Sequence, residues 1–230
     1  GATNSTSFNI VITGINDAPT LIPPTPADGD SLQIVEGDVL SFTITGQDSD
    51  TTDVLTYSVS NEIPPGSTLN ANTGVFEWTP TYEQAGTYNL TLTVTDPHNE
   101  SASVSISIDA SFLDNDNDTL PDTWETANGL DPTSDDSDGD TILDVVEVGG
   151  DINSPLDSDN LLPIDAGDND SDDDGIPDQA EAGDADPLTE PIDSDGDGIP
   201  NYRDTDSDND NVLDGAEDLN NDGIVDANET

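Results

Sequence analysis

Between Ser31 and Asp109 apolar side chains alternate with Ser and Thr: Leu40, Phe42 and Ile44; Leu55, Tyr57 and Val59; Tyr88, Leu90, Leu92 and Val94; Val104, Ile106 and Ile108. A period of two sends successive side chains to opposite faces of a strand, so each run predicts an apolar inner face and a hydroxyl-rich outer one. About seven such runs, bounded by Gly, Pro, Asn and Asp and without helical periodicity, predict an antiparallel β-sandwich over residues 20–110. Phe76 and Trp78 are its expected core aromatics. Residues 8–13 alternate like one more strand and lead into Gly14-Ile15-Asn16-Asp17-Ala18-Pro19 and a Pro-rich stretch to Pro26. Residues 1–19 therefore read as the terminal strand of a preceding repeat plus a linker. With no Met at position 1, the chain reads as an internal piece of a longer one.

Past residue 110 the alternation stops and carboxylates take over. The chain carries 53 acidic residues against one basic residue, a formal net charge of −52; 14 of the acidic residues precede residue 111 and 39 follow it. Such a charge excludes nucleic acid and anionic membrane surfaces as natural partners. Self-repulsion would leave residues 111–230 disordered unless something cationic binds. The chain has no Cys, so disulfides and thiolate metal sites are unavailable and a metal must sit among hard oxygens, which favours calcium over zinc. No run approaches the ~18 apolar residues of a membrane span, and no segment has the order of a signal peptide, so direct membrane insertion is not expected.

A twelve-residue loop of EF-hand type offers oxygen from positions 1, 3, 5, 7 (through the backbone), 9 and 12. Six segments fill all six positions. Loop 1 has Asp114, Asp116, Asp118, Leu120, Asp122 and Glu125; loop 2 has Asp136, Asp138, Asp140, Ile142, Asp144 and Glu147; loop 3 has Asp170, Asp172, Asp174, Ile176, Asp178 and Glu181. Loop 4 has Asp193, Asp195, Asp197, Ile199, Asn201 and Asp204; loop 5 has Asp206, Asp208, Asp210, Val212, Asp214 and Glu217; loop 6 has Asp218, Asn220, Asp222, Ile224, Asp226 and Glu229. An acidic run is usually a solvated tail, but a tail has no reason to repeat an aliphatic residue at position 7, Asp or Asn at 9 and an acid at 12. About six calcium ions are the expected cofactors.

These loops depart from ordinary EF-hands. The aliphatic residue is at position 7 rather than 8, and Pro121, Pro177 and Pro200 at position 8 have no N–H for a loop-to-loop bridge. The close spacing of loops 4 to 6 leaves no room for flanking helices. Short helices are expected from Pro121 to Asn128, capped by Gly129, and as a single turn from Asp144 to Val148. Position 6 calls for positive φ, which Gly175, Gly198, Gly223 and Asn211 tolerate and the β-branched Thr119 and Thr141 resist, so loops 1 and 2 are expected to be shaped differently or to bind more weakly. Residues 151–169 fail the pattern at Leu161 and read as an insertion able to lend Asp165 or Asp168 to a neighbouring ion.

Two resemblances add to this reading. Pro65-Gly66-Ser67-Thr68-Leu69-Asn70, Thr73-Gly74-Val75-Phe76-Glu77-Trp78-Thr79-Pro80 and Ala85-Gly86-Thr87-Tyr88, continuing to Val94-Thr95-Asp96, resemble bacterial cadherin-like (dystroglycan-type, Ig-like) repeats. That resemblance, over residues 20–110, implies an extracellular spacer or adhesive module. Asp193-Ser194-Asp195-Gly196-Asp197-Gly198-Ile199-Pro200 and Asp172-Asp173-Asp174-Gly175-Ile176-Pro177-Asp178 resemble bacterial thrombospondin type 3 repeats. That resemblance, over residues 111–230, implies an irregular calcium-stacked array with little regular secondary structure, its position-7 aliphatics serving as packing plugs and its ions in place of a hydrophobic core.

Other candidates are weaker. Asp17, Glu36, Asp48, Asp50 and Asp96 sit where cadherin-like modules place interdomain calcium ligands, but exposed loop carboxylates explain them as well. His98, the one histidine, lies in the turn Asp96-Pro97-His98-Asn99 and reads as a solvated residue rather than a general base. Arg203, the one basic residue, reads as a local neutraliser beside Asp204. No catalytic residues are expected. The chain reads as a calcium-binding structural spacer of a secreted or cell-surface bacterial adhesin-like protein. The alternative is a carbohydrate- or protein-binding module of a surface adhesin or a large secreted hydrolase.

Overall fold

The computed structural model describes residues 15–218. The strand expected over residues 8–13 and loop 6 beyond Asp218 lie outside the described residues. The chain divides into two compact units between Ser111 and Phe112.

The first unit is built from β1 (Thr20–Ile22), β2 (Ser31–Val35), β3 (Leu40–Thr43), β4 (Thr45–Gln47), β5 (Thr56–Asn61), β6 (Thr68–Leu69), β7 (Val75–Trp78), β8 (Gly86–Thr95) and β9 (Ser101–Ser111). One sheet has the order β2-β9-β8-β5, a second β3-β7-β6, and β1 pairs with β4. The long β8–β9 hairpin sets Tyr88 opposite Ile108, Leu90 opposite Ile106 and Leu92 opposite Val104, so the alternating residues meet on one face. They pack with Ile34, Ile44, Phe76 and Trp78 into one core. Phe76 and Trp78 are buried as expected; Phe42 stacks on Phe76 and Tyr88 meets Trp78 edge-on. Trp78 Nε1 donates to the Pro65 carbonyl at 3.1 Å, so the indole leaves no unmet donor in the core. Gly74 (φ 73°) is required, since a Cβ there would lie 2.0 Å from the Ile44 carbonyl oxygen.

The expected wholly antiparallel arrangement is corrected at one edge: β2 runs parallel to β9, with Ser31 beside Ser107 and Val35 beside Ser111. A local period of two records which face a side chain takes. It carries no information about the direction of the neighbouring strand.

The second unit has little regular structure: α1 (Asp122–Asn128), three single-turn helices α2 (Asp144–Glu147), α3 (Asp178–Glu181) and α4 (Asp214–Glu217), and 3-10 turns at Asp165–Gly167 and Asn201–Arg203. Gly129 caps α1 in the left-handed conformation (φ 89°), whereas Pro121 stands extended just before the helix instead of opening it. The residue at position 8 is extended before each of these turns, and Pro121, Pro177 and Pro200 suit that place because their ring fixes φ near −65°.

Candidate metal centre

Loops 1 to 5 share one backbone design. The position-5 N–H donates to Oδ1 of the position-3 Asp, and the position-7 N–H to Oδ1 of the position-5 Asp, as in Leu120 to Asp118 and Ile142 to Asp140, both 2.7 Å. The position-6 N–H of Thr119, Thr141, Gly175, Gly198 or Asn211 donates to the position-1 carboxylate at 3.0–3.5 Å. Each loop is closed where the position-9 N–H reaches the carbonyl of the residue before position 1: Leu113, Asp135, Asn169, Ile192 and Thr205, at 2.7–3.0 Å.

The expectation that Thr reshapes loops 1 and 2 is not met. Thr119 and Thr141 take φ of 84° and 86°, the region occupied by Gly175 and Gly198 at 98°. The carboxylate that holds each Thr N–H fixes a conformation costing a β-branched residue on the order of 1–2 kcal/mol. Position 4 also takes positive φ, at Asn117, Gly139, Asp173, Gly196 and Asn209, a second requirement that the ligand spacing did not reveal.

Position 9 fastens the loop to itself. Ser137 donates its N–H to Asp144 Oδ1 at 2.8 Å and its hydroxyl to Oδ2 at 2.6 Å; Ser171 does the same to Asp178 at 2.9 and 2.7 Å, and Asn115 to Asp122 through its N–H and side-chain amide. Ser207 donates both groups to Asp214. In loop 4 Asn201 holds Ser194 equally well, accepting its N–H at 2.9 Å and donating to its hydroxyl at 2.9 Å.

What those bonds leave over defines the site. At Asp116, Asp118, Asp138, Asp140, Asp172 and Asp174 the second carboxylate oxygen is buried with no hydrogen-bond partner, and at Glu125, Glu147 and Glu181 both oxygens are. The three Glu side chains are 0, 0 and 7 % exposed. Oxygens of Asp114, Asp116 and Asp118 converge within 4.8 Å of one another, as do those of Asp136, Asp138 and Asp140. The same holds for Asp118, Glu125 and Asp144, and for Asp140, Glu147 and Asp178. A buried carboxylate without a donor costs many kcal/mol unless a cation or a proton neutralises it. Burial, then the neighbouring carboxylates, pushes Glu147 up to about 11, Glu181 to about 10 and Glu125 to about 8; Asp138 and Asp172 rise to about 7 by the same causes. An all-oxygen, multiply anionic pocket fits a hard divalent cation of the calcium kind.

Loops 4 and 5 are more open. The position-7 side chains Leu120, Ile142 and Ile176 are 1–3 % exposed, whereas Ile199 and Val212 are 42 and 43 % exposed; the packing-plug expectation is corrected for those two. The unit also buries Trp124, Leu130, Val148, Ile164 and Tyr202, an apolar set that the carboxylate pattern hid.

The segment read as an insertion is another loop of the same build. Ser158 donates its N–H to Asp165 Oδ1 at 2.7 Å and its hydroxyl to Oδ2 at 2.8 Å, Leu161 N–H reaches Asp159 Oδ1 at 2.7 Å, and Asp165 N–H closes on the Leu156 carbonyl at 3.2 Å. Leu161 stands where the other loops have their third carboxylate. Asp165, 1 % exposed, instead meets the Arg203 guanidinium, Nε to Oδ2 at 3.1 Å, and the same Nε donates to Ser158 Oγ at 3.0 Å. The local role expected for Arg203 beside Asp204 is thus corrected: its partners lie in a loop some forty residues earlier. Asp165 is held by Arg203 and Ser158. The seven-residue spacing of Ser158 and Asp165 was the available signal.

The loops stack. Helix α2 packs on the turn at Asp165–Gly167 and α3 on that at Asn201–Arg203, with Ile142, Ala182 and Tyr202 forming a small apolar cluster. The backbone of Gly215 in α4 lies against Asp174, where a Cβ would come 2.0 Å from the carbonyl oxygen.

In the first unit Asp17, Asp48, Asp50 and Asp96 gather at the end of the sandwich that holds the β8–β9 turn. Asp17 N–H donates to Asp50 Oδ2 at 3.0 Å, Asp50 N–H to Asp48 Oδ1 at 2.9 Å, and Asn16 Nδ2 to Asp96 Oδ2 at 2.8 Å. Asp96 Oδ1 also accepts the N–H groups of His98 and Glu100. His98 Nδ1 faces Asp53 at 3.4 Å. Glu36 stands at the other end of the sheet, its N–H bonded to the Ser111 carbonyl, so the five carboxylates do not form one group.

Residues 18–111 match the family model described as "Putative Ig domain". Among curated proteins nothing matches the chain. Similar solved structures include human protocadherin-24 EC1-2 (21 % identity, 44 % of this chain and 46 % of that one, TM-score 0.34). Mouse cadherin-23 EC22-24 is another (20 %, 44 % and 34 %, 0.36). A third is a nucleoside hydrolase-related hypothetical protein from Saccharophagus degradans (20 %, 42 % and 26 %, 0.35). The chain spans less than half the length of each of these. The two-sheet sandwich of the first unit accords with that match to an Ig-like family model over residues 18–111.

Proposed function

We propose that residues 112–230 fold around bound calcium and that the chain is a calcium-stiffened spacer or stalk of a secreted or surface-displayed adhesin-like protein. The observation that carries this is the set of buried, unpartnered carboxylate oxygens at positions 3, 5 and 12 of loops 1 to 3. Calcium takes about 6–8 oxygens at roughly 2.3–2.6 Å. The carboxylates at positions 1, 3, 5 and 12 and the position-7 carbonyl would hold it, and its charge would offset the repulsion among them. Folding and binding are then one event, because the ligands come together only in the folded loop. The Ig-like repeat fits an extracellular module, and among the described residues no helix is long and apolar enough to cross a membrane. The role is structural, with no catalytic step. Native mass spectrometry of the calcium-loaded chain should count at least six ions, and a chelator should collapse the amide dispersion of residues 112–218 while sparing residues 20–110. Three ions or fewer, or loop signals indifferent to the chelator, would overturn the reading.

A further inference from the structure

The fastening bond between positions 2 and 9 needs no negative charge, because Asn201 makes it in loop 4 with the same two contacts as the Asp of the other loops. Yet Asp144, Asp178 and Asp214 are carboxylates and are 0, 0 and 2 % exposed. Burying a charge that its own loop does not require is unfavourable unless a cation lies on its far side. Asp144 of loop 2 has an oxygen within 4.8 Å of carboxylate oxygens of Asp118 and Glu125, which are positions 5 and 12 of loop 1. Asp178 of loop 3 stands in the same relation to Asp140 and Glu147 of loop 2. In the third case the first turn of α4 lies against loop 3 through Gly215 and Asp174, which brings the adjoining Asp214 there. Glu125 and Glu147, fully buried with neither oxygen partnered, point into these shared clusters. Asp165, whose loop lacks the third carboxylate, meets the Arg203 guanidinium in the corresponding role.

We propose that the position-9 carboxylate belongs to the cation site of the loop stacked before it, so that Asp144 completes site 1, Asp178 site 2 and Asp214 site 3. A carboxylate has about four acceptor positions, enough to hold Ser137 or Ser171 and still face the neighbouring ion. The sites are therefore composite. Loop 3 is joined to loop 5, passing over loop 4, whose position 9 is the neutral Asn201. This rests on the calcium reading above and adds to it an order of coupling: each loop must close before its predecessor's site is whole.

The test is Asp144→Asn in the full chain, with calcium titrated and amide signals of Asn117 and Thr119 followed for loop 1 and of Gly139 and Thr141 for loop 2. The amide should keep loop 2 closed as Asn201 keeps loop 4. The expected result is a loss of roughly tenfold or more in calcium affinity at loop 1, in line with the effect of losing a group that supports a metal site, against less than threefold at loop 2. Asp178→Asn should move the effect to loop 2 and spare loop 3, and it serves if the first variant fails to fold. Trp124, next to Glu125, gives a second readout through sensitised terbium emission, which Asp144→Asn should weaken. Weakening confined to the variant's own loop, or equal affinities throughout, would overturn the composite sites while leaving the calcium reading intact. An unmodified chain that takes up no calcium would overturn both.

Discussion

Stripping calcium at neutral pH and then acidifying should first unfold the second unit and then restore it. In the folded, metal-free loops Glu147 is pushed up to about 11, Glu181 to about 10 and Glu125 to about 8, by burial first and neighbouring carboxylates second. In the unfolded chain the same groups return to about 4.3. Between about pH 4.5 and pH 8 the folded form therefore holds protons that the unfolded form has lost. Bound protons being greater in the native state, stability falls as pH rises through this window. One proton for each of three clusters costs about 1.4 kcal/mol per pH unit, so about 4 kcal/mol per unit together and on the order of 10 kcal/mol from pH 5 to pH 8. That is as large as the whole net stability of a domain, roughly 5–15 kcal/mol. Calcium should reverse the dependence, since it binds the ionised form and competes with protons. The assay is amide NMR and far-UV circular dichroism on protein chelated and desalted, at pH 8 and pH 5, with and without calcium. General relief of the chain's negative charge is separated by the triple variant Glu125→Gln, Glu147→Gln, Glu181→Gln, which should stay more structured than the parent at pH 8 without metal and respond less to acid than the parent, the remaining response coming from groups such as Asp138 and Asp172. A metal-free second unit that is equally ordered at both pH values, or a triple variant that follows the parent, would refute the reasoning.

Trp78→Ala should destabilise the sandwich by about 3–5 kcal/mol, since the indole is 2 % exposed and bonded to Pro65, and thermal melts should show it without a change in calcium stoichiometry. Arg203→Met leaves the Asp165 carboxylate buried without its guanidinium. It should cost the calcium-loaded second unit about 3–5 kcal/mol, read as a lower midpoint in urea; an unchanged midpoint would deny the ion pair its role. Gly215→Ala places a Cβ 2.0 Å from the Asp174 carbonyl, so it should cost at the upper end of the roughly 1–3 kcal/mol of an overpacked contact. Its calcium titration should shift at Asp172 and Asp174, and shifts confined to loop 5 would refute that contact.

The period-two runs determined the strands, and the residues at Tyr88, Leu90, Leu92, Ile106 and Ile108 named their own inner face, because alternation is a property of the single strand. The spacing of Asp, Asp, Asp and Glu likewise named the carboxylates of each loop, since one loop's turns bring positions 3, 5 and 12 together within twelve residues. The parallel pairing of β2 with β9 was decided only in three dimensions, because the neighbour's direction leaves no local trace. Thr119 and Thr141 argued locally against a positive φ that hydrogen bonds to Asp114 and Asp136 impose in the folded loop. Arg203 beside Asp204 looked like a neighbour's counter-ion, and the fold sends it to Asp165. Position 9 has the deepest such ambiguity: sequence ties Asp144 to loop 2, while stacking sets the same carboxylate against Asp118 and Glu125 of loop 1. The carboxylates are written within each loop, but which loop a buried charge faces depends on how the loops pack, and that is decided by contacts such as Gly215 on Asp174 that no spacing along the chain encodes.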